Sequence, residues 1–138
     1  MQPSIRINFG IPTHGWLPVD FSFGDFQLSI DASDVLNNPV EELYYAVTKL
    51  ADNESRQVTW WLEPAAIIFN FNKKGLNTVF TITEIEDLHN ANSEQQSLLT
   101  ITSQSKEFNT PFIKALKEFC SKEYNEIDWP YNLNNIKL

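Results

Sequence analysis

Apolar and polar residues alternate along the first part of the chain, which is the pattern of a half-buried β-strand. Ile5, Ile7 and Phe9 fall on one side of residues 4–9, and Arg6 and Asn8 fall on the other. The next segment, GIPTHG at residues 10–15, contains two glycines and a proline. We therefore predict a strand that ends in a loop.

The stretch WLPVDFSFGDFQLSI, residues 16–30, predicts a β-hairpin that turns at Gly24-Asp25. A two-residue turn with glycine first is typical of type II′. The predicted pairs are Phe23 with Phe26, Phe21 with Leu28 and Val19 with Ile30 on one face, and Ser22 with Gln27 and Asp20 with Ser29 on the other. The first face is apolar and the second is polar. Because a shift of one residue would mix them, the pattern predicts this register.

A helix is predicted to begin at Asn38-Pro39-Val40-Glu41. These residues suit an N-cap, a proline at the first helical position and a capping glutamate at the third. An apolar stripe with helical spacing accompanies this start and consists of Leu36, Val40, Leu43, Val47 and Leu50. The polar run at 52–55 ends the helix.

The most apolar stretch, RQVTWWLEPAAIIFNF at residues 56–71, predicts a strand, a corner and a second strand. Proline holds the residue before it in extended geometry and donates no backbone hydrogen bond, so Glu63-Pro64 is the predicted corner at the rim of the sheet. We expect NKKG, residues 72–75, to form a four-residue turn that sets Phe71 opposite Leu76.

Trp60 and Trp61 must point to opposite faces, because neighbouring residues of a strand do so. Trp60 shares its phase with Val58, so we assign it to the core. Trp61 then faces water, a helix, the tail or a partner. Exposed tryptophan is typical of interface anchors. The alternative is cover by the C-terminal tail around Trp129.

The last third of the chain predicts an exposed acidic loop, a strand and a helix. The loop covers residues 84–97 and the strand residues 98–103. The helix is expected to start near Asn109 or Thr110, with Pro111 at its first position. Residues 125–138 form a tail that is expected to pack on the domain surface.

The order of elements predicts one α+β domain over residues 1–138. Hairpins dominate, and no strand–helix–strand alternation indicates a parallel sheet. We expect a curved antiparallel sheet of about six to seven strands with both helices packed on one face.

Composition adds a strongly acidic charge to this outline. The net charge is −8 and the sequence pI is about 4.6. A protein that binds phosphates needs a basic face, so nucleic acid and anionic membranes are not expected partners. A basic protein partner fits the charge, which would steer its approach. The other reading is that the charge only keeps the protein soluble.

Cys120 is the only cysteine, which excludes an intrachain disulfide and a cysteine-based zinc site. The first residues, MQPSIRINFG, contain no apolar run of signal-peptide length, and no run reaches the length of a membrane span. These features predict a cytoplasmic protein.

Glu63, His14 and Asp20 are the candidates for acid–base chemistry. Glu63 lies between apolar neighbours, which would raise the pKa of a general acid, but it also needs a partner within hydrogen-bond reach. The other reading is a turn carboxylate and a loop histidine. Two histidines cannot make a histidine-rich metal site, and no glycine-rich phosphate loop is present, so no cofactor or metal is predicted.

Three segments, GWLPV at 15–19, SDVLNNPVEEL at 33–43 and WWLEPAAIIFNF at 60–71, resemble a pattern in small bacterial proteins of unknown function. The resemblance covers roughly the first two thirds of the chain. Its motifs are a turn, a helix cap and a corner, so it implies no catalytic residue. In size and acidity the chain also resembles immunity proteins that neutralise bacterial toxins.

These observations favour a non-enzymatic protein that binds another protein, with an immunity-like role as a special case. The predicted surface contains Trp61 and Glu63, with Glu84, Glu86 and Asp87 as its acidic rim. A second hypothesis is a small-molecule-binding protein or hydrolase, with a pocket between sheet and helices that uses Glu63. A third is an oligomer such as a dimer, formed through edge strands or the tail.

Overall fold

A computed structural model describes residues 3–138 of the chain. Its elements are β1 (Ile5–Phe9), β2 (Trp16–Phe23), β3 (Phe26–Ser33), α1 (Pro39–Thr48), β4 (Ser55–Trp61), β5 (Ala66–Lys74), β6 (Asn77–Ile85), β7 (Gln95–Gln104) and α2 (Ser105–Cys120). All pairings between these strands are antiparallel. The predicted α+β class with two helices is confirmed.

The first hairpin has the register that the alternating pattern predicts. Phe23 lies opposite Phe26, and Asp20 lies opposite Ser29. Gly24 has a φ of 59°, the left-handed value that the first central position of a type II′ turn requires. β1 adds to β2 on the other side and completes a three-stranded sheet.

The second hairpin differs from the predicted register. Phe71 pairs with Phe80 instead of Leu76, and the turn lies at Gly75-Leu76 between Lys74 and Asn77. Gly75 has a φ of 61°, so a two-residue turn with glycine first replaces the expected four-residue turn. Leu76 is thereby placed at the tip, where its side chain is 84% exposed.

The seven strands form two sheets, β1-β2-β3 and β4-β5-β6-β7, instead of the predicted single curved sheet. Side chains near the start of α1 explain the break. The Thr59 N–H donates to Glu42 Oε1 at 2.9 Å, and Asn37 Nδ2 donates to the Thr59 carbonyl at 2.9 Å. These bonds use the backbone N–H and C=O groups in the middle of the β4 edge. A neighbouring strand would need the same groups to pair with β4 there.

The core lies between the inner faces of the two sheets and the helices, and aromatic rings fill it. Phe80 is fully buried at its centre. Its ring centroid lies 5.0 to 5.8 Å from the rings of Phe21, Phe69, Phe71, Phe108 and Phe112. These five rings come from both sheets and from α2, so one cluster joins the layers.

The first helix begins as predicted and the second begins earlier. Asn38 Oδ1 accepts from the Glu41 N–H at 3.3 Å, and Pro39 is the first helical residue. The second helix starts at Ser105 instead of Asn109 or Thr110, so Pro111 lies inside it. Phe108, buried in the core, holds the extra first turn in place.

The segment after α2 runs back along the helices. Trp129 is buried and packs edge-on against Phe119, with ring centroids 6.0 Å apart. Tyr44 of α1 donates its hydroxyl to the Lys137 carbonyl at 3.1 Å. Residues 125–138 therefore contact both helices and bury part of their surface.

We expect Phe80→Ala to lower the free energy of unfolding by about 3 to 5 kcal/mol, because the change opens a cavity among five aromatic rings. Denaturant unfolding followed by fluorescence measures the loss. Leu76→Ala is the matched control, since its exposed side chain should change stability by less than about 0.5 kcal/mol. Equal effects of the two substitutions would contradict this description of the core.

The β4 edge predicts a pH dependence of stability. Burial raises the pKa of the Glu42 carboxyl above its usual 4.5, although hydrogen bonds from Thr59 and Asn37 oppose the shift. A raised pKa means that the folded state holds the proton more tightly than the unfolded state. The contribution of protonated Glu42 to the free energy of unfolding is therefore full below pH 4.5 and is lost as pH rises through the folded-state pKa.

Glu42→Gln keeps an acceptor for Thr59 and removes the titration. We expect a flatter stability–pH curve for this variant than for the wild type between about pH 4 and 7, measured by thermal unfolding. Glu42→Ala should cost about 1 to 3 kcal/mol, because it leaves the Thr59 N–H without its acceptor. Parallel curves for wild type and Glu42→Gln would show that Glu42 does not titrate this way.

Candidate functional site

Trp60 and Trp61 lie on opposite faces of β4, as the alternation predicts. Trp60 is fully buried, whereas Trp61 is half-buried on the outer face. The Trp61 ring packs edge-on against His89, with centroids 5.3 Å apart. The loop that carries His89 is tied to the corner by the Leu88 N–H, which donates to the Pro64 carbonyl at 2.8 Å. The acidic loop therefore covers Trp61, and the tail around Trp129 does not.

The acidic residues of the predicted rim do not share one face with Trp61. Glu84 pairs with Ile67 and so points to the inner side of the sheet, although its side chain is exposed at the end of the strand. Glu86 is exposed in the loop that follows. Asp87 Oδ1 accepts from the His89 N–H at 3.0 Å, so this carboxylate shapes the loop.

The three acid–base candidates do not form one cluster, because Glu63 and His14 lie in loops and Asp20 lies on β2. Glu63 and His14 have φ values of 56° and 51°, left-handed conformations that few non-glycine residues adopt. Asp20 lies on the polar outer face of the three-stranded sheet, between Asn8 and Ser29. Within residues 3–138, no hydrogen bond joins any two of the candidates.

Four segments meet at one end of the molecule, which we call the loop end: residues 10–16, 31–37, 62–65 and 125–131. The Gly15 N–H donates to the Asp128 carbonyl at 2.9 Å, and the Asp34 N–H donates to the Gly15 carbonyl at 2.9 Å. Gly15 has a φ of 83°, and a Cβ atom there would lie 2.6 Å from Asp34 Oδ1. The positive φ is what favours glycine here, because other residues rarely adopt this backbone conformation.

Tyr131 ties the tail to the start of α1. Its single hydroxyl proton is shared between the Asn37 carbonyl, whose oxygen lies 2.9 Å away, and the Asp34 carbonyl. Burial, followed by the negative charges of Asp34 and Glu42, raises the pKa of the Tyr131 phenol. The phenol therefore keeps its proton and remains a donor to both carbonyls.

Asp34 and Glu63 place two interacting carboxylates at the loop end. Burial, opposed by a backbone hydrogen bond and assisted by the charge of Glu63, raises the pKa of the Asp34 carboxyl. Leu62 of the corner after β4 lines the cleft beside Asp31 of β3, so this corner lies near the end of that strand. A cationic group placed beside both carboxylates would be attracted to them.

Large exposed apolar side chains concentrate at the loop end. Five of the seven such side chains in the described residues belong to it: Ile11, Trp16, Val35, Leu36 and Ile127. Val35 is 74% exposed and Ile11 is 69% exposed. Scattered exposed apolar residues are normal, but a group of them beside polar residues marks interaction surfaces.

An open cleft of about 720 Å³ adjoins this group. It is lined by Ile11, Thr13, Trp16, Pro18, Ser29, Ile30, Asp31 and Leu62. The lining comes from the β1–β2 loop, from β2 and β3, and from the corner after β4. The cleft thus lies over the outer face of β2 and β3, and Leu62 of the corner after β4 lines one side of it.

Trp16, Asp34 and Ile11 were not among the residues predicted for the site. Trp16 could have been identified from the sequence, because alternation along β2 places it on the same face as Pro18 and Asp20. A large apolar residue on a polar strand face is unusual in a two-layer domain. No sequence pattern indicated that residues 125–131 would lie against Gly15.

The described residues give little support for a reactive cysteine, a metal site or a membrane-spanning helix. Burial raises the pKa of the Cys120 thiol, which disfavours the reactive thiolate. In the part of the chain that the structure describes, no three His, Cys, Asp or Glu side chains are grouped so that they could hold a metal ion. No helix from residue 3 to residue 138 is long and apolar enough to cross a membrane.

A scan against protein-family models gave no match, and searches of curated proteins and of solved structures gave none either. The resemblance to small bacterial proteins therefore stays a prediction, and the function has to be inferred from the surface of this chain.

Proposed function

We propose that this protein acts by binding another protein through the loop end. The observation that carries the proposal is the gathering there of five of the seven large exposed apolar side chains in the described residues. Exposed apolar groups that lie together beside an open cleft are what a partner can bury. Trp16, 38% exposed at the cleft, is the proposed anchor.

The charge of the loop end supports a basic partner. Its four segments contain Asp31, Asp34, Glu63, Glu126 and Asp128, and they contain neither lysine nor arginine. The protein as a whole is also negatively charged, with a net charge of −8. Opposite charges speed the encounter of two proteins, and the attraction weakens as salt rises.

The cleft favours a protein ligand over a small substrate. It is open, and apolar side chains from separate segments line much of it, whereas small-molecule sites bury most of the ligand surface. Glu63, the candidate acid of a hydrolase, does not line it. An immunity-like role, in which the partner is a basic toxin, is one form of this function and is not required by it.

The test compares protein captured from a lysate of the source organism by wild type and three variants, at low and high salt. Trp16→Ser should reduce the recovery of the true partner by about tenfold or more, because truncation of an aromatic anchor costs about 2 kcal/mol. Leu76→Ser is the matched control, since it removes an exposed apolar side chain at the far hairpin tip. Trp61→Ala tests the surface that the sequence predicts.

A basic protein that wild type and Leu76→Ser retain and Trp16→Ser loses would support the loop end. Loss only with Trp61→Ala, in a variant whose melting temperature is unchanged, would assign binding to the outer sheet face instead. Identical recovery with all four proteins, or no salt-sensitive partner, would contradict the proposal.

A further inference from the structure

The outer edge of β7 has backbone groups without partners. The Ser105 N–H donates to the Leu76 carbonyl, so that pair is hydrogen-bonded. Hydrogen-bonded and non-hydrogen-bonded pairs alternate in an antiparallel ladder. Thr100 and Thr102, whose partners are Thr81 and Val79, therefore direct their N–H and C=O groups away from β6. Gln104, opposite Asn77, directs its N–H the same way, whereas its carbonyl accepts from the first turn of α2, of which it is the N-cap.

The other three edge strands are less available. The Thr59 backbone on β4 is bonded to Glu42 and Asn37. α2 packs along β1, where Pro111 and Lys114 adjoin residues 5–8. β3 lines the cleft of the loop end and carries Asp31.

β7 also lacks the charges that protect most edge strands. Its sequence, QQSLLTITSQ, contains no Lys, Arg, Asp, Glu or Pro. Natural proteins place such residues on open edges because a bare edge pairs with another strand. The outer face of the sheet is nearly neutral as well, because Lys74 is the one charged residue among the nineteen in register on it. The uncharged ones are Ser55, Gln57, Thr59, Trp61, Ala66, Ile68, Asn70, Asn72, Asn77, Val79, Thr81, Thr83, Ile85, Gln95, Ser97, Thr100, Thr102 and Gln104.

From this edge we infer that the protein forms a twofold dimer in which β7 pairs antiparallel with β7 of a second copy. The net charge of −8 on each copy makes contact between two copies unfavourable over most of the surface. Pairing through β7 sets no carboxylate of one β7 strand against a carboxylate of the other, since this strand has no charged residue. The dimer joins the two four-stranded sheets into one sheet of eight strands.

The irregularity in β7 sets the register of this pairing. The ladder with β6 shifts between Ile82 and Thr83, which leaves Leu98 as an extra residue. The regular part of the strand is 99–104, and Thr102 is the middle one of its three outward residues. Thr102 therefore pairs with its own copy across the twofold axis, and Thr100 of each copy lies opposite Gln104 of the other.

The first measurement is the solution mass by light scattering over a wide range of protein concentration. We expect the mass to rise with concentration toward twice the chain mass of 15.9 kDa. Thr102→Pro removes an outward N–H that makes no bond to β6, so it should weaken the dimer about tenfold or more and leave the fold intact. A monomer at every concentration would overturn the inference.

Two lysine variants provide a matched pair. Thr102→Lys sets two lysines opposite each other across the twofold axis, so it should dissociate the dimer. Ser55→Lys adds the same charge to the same face and the same row of paired residues, but at the β4 edge. It should leave the dimer unchanged. Equal effects of the two variants would show that association does not use the β7 edge.

Amide hydrogen exchange gives a residue-level test. The amides of Thr102 and Gln104 should be protected at dimer concentrations and exposed on dilution. The amides of Ile101 and Ser103 should stay protected throughout, because they bond to β6. A dimer in which the two outward amides exchange freely would refute this mode of pairing. Because the loop end is not involved, the result is independent of the proposed partner.

Discussion

The hydrogen bonds that Glu42 and Asn37 make to Thr59 determine the plan of the molecule. A strand edge needs partners for its N–H and C=O groups, and here two side chains beside α1 supply them. β4 therefore ends one sheet, and β3 cannot continue it. The cleft of the loop end adjoins this break, since Leu62, just after β4, lines it together with residues of β2 and β3.

The aromatic core compensates for that break. With seven strands divided between two sheets, backbone hydrogen bonds no longer hold the two parts together. Phe21 of the three-stranded sheet contacts Phe69 and Phe80 of the other, with ring centroids 5.5 and 5.8 Å apart. Packing of these rings takes over the role that a continuous ladder would have had.

Local patterns predicted the local elements well. The register of the first hairpin follows from its two matched faces and Gly24, and the start of α1 follows from Asn38 and Pro39. Errors arose where one residue type allows two arrangements. Gly75 suits both a four-residue and a two-residue turn. Pro111 is favoured at a helix start, but it lies inside α2, because the helix begins earlier with Phe108 buried in the core.

The site was harder to predict because distant contacts create it. Trp16 could have been recognised from its phase on a polar strand face. The bonds of Gly15 to Asp34 and Asp128 join segments that no periodicity connects. The separation of the sheets depends on the burial of Glu42, a residue that in the sequence looks like any charged position in a first helical turn.

The contact between Gly15 and Asp128 has a consequence for biosynthesis. The loop end combines residues 10–16 with residues 125–131, which are translated at different times. Ile11 and Trp16 emerge from the ribosome long before Ile127 and Tyr131 can lie beside them. A nascent chain therefore displays only part of this surface until residues 125–131 have folded back.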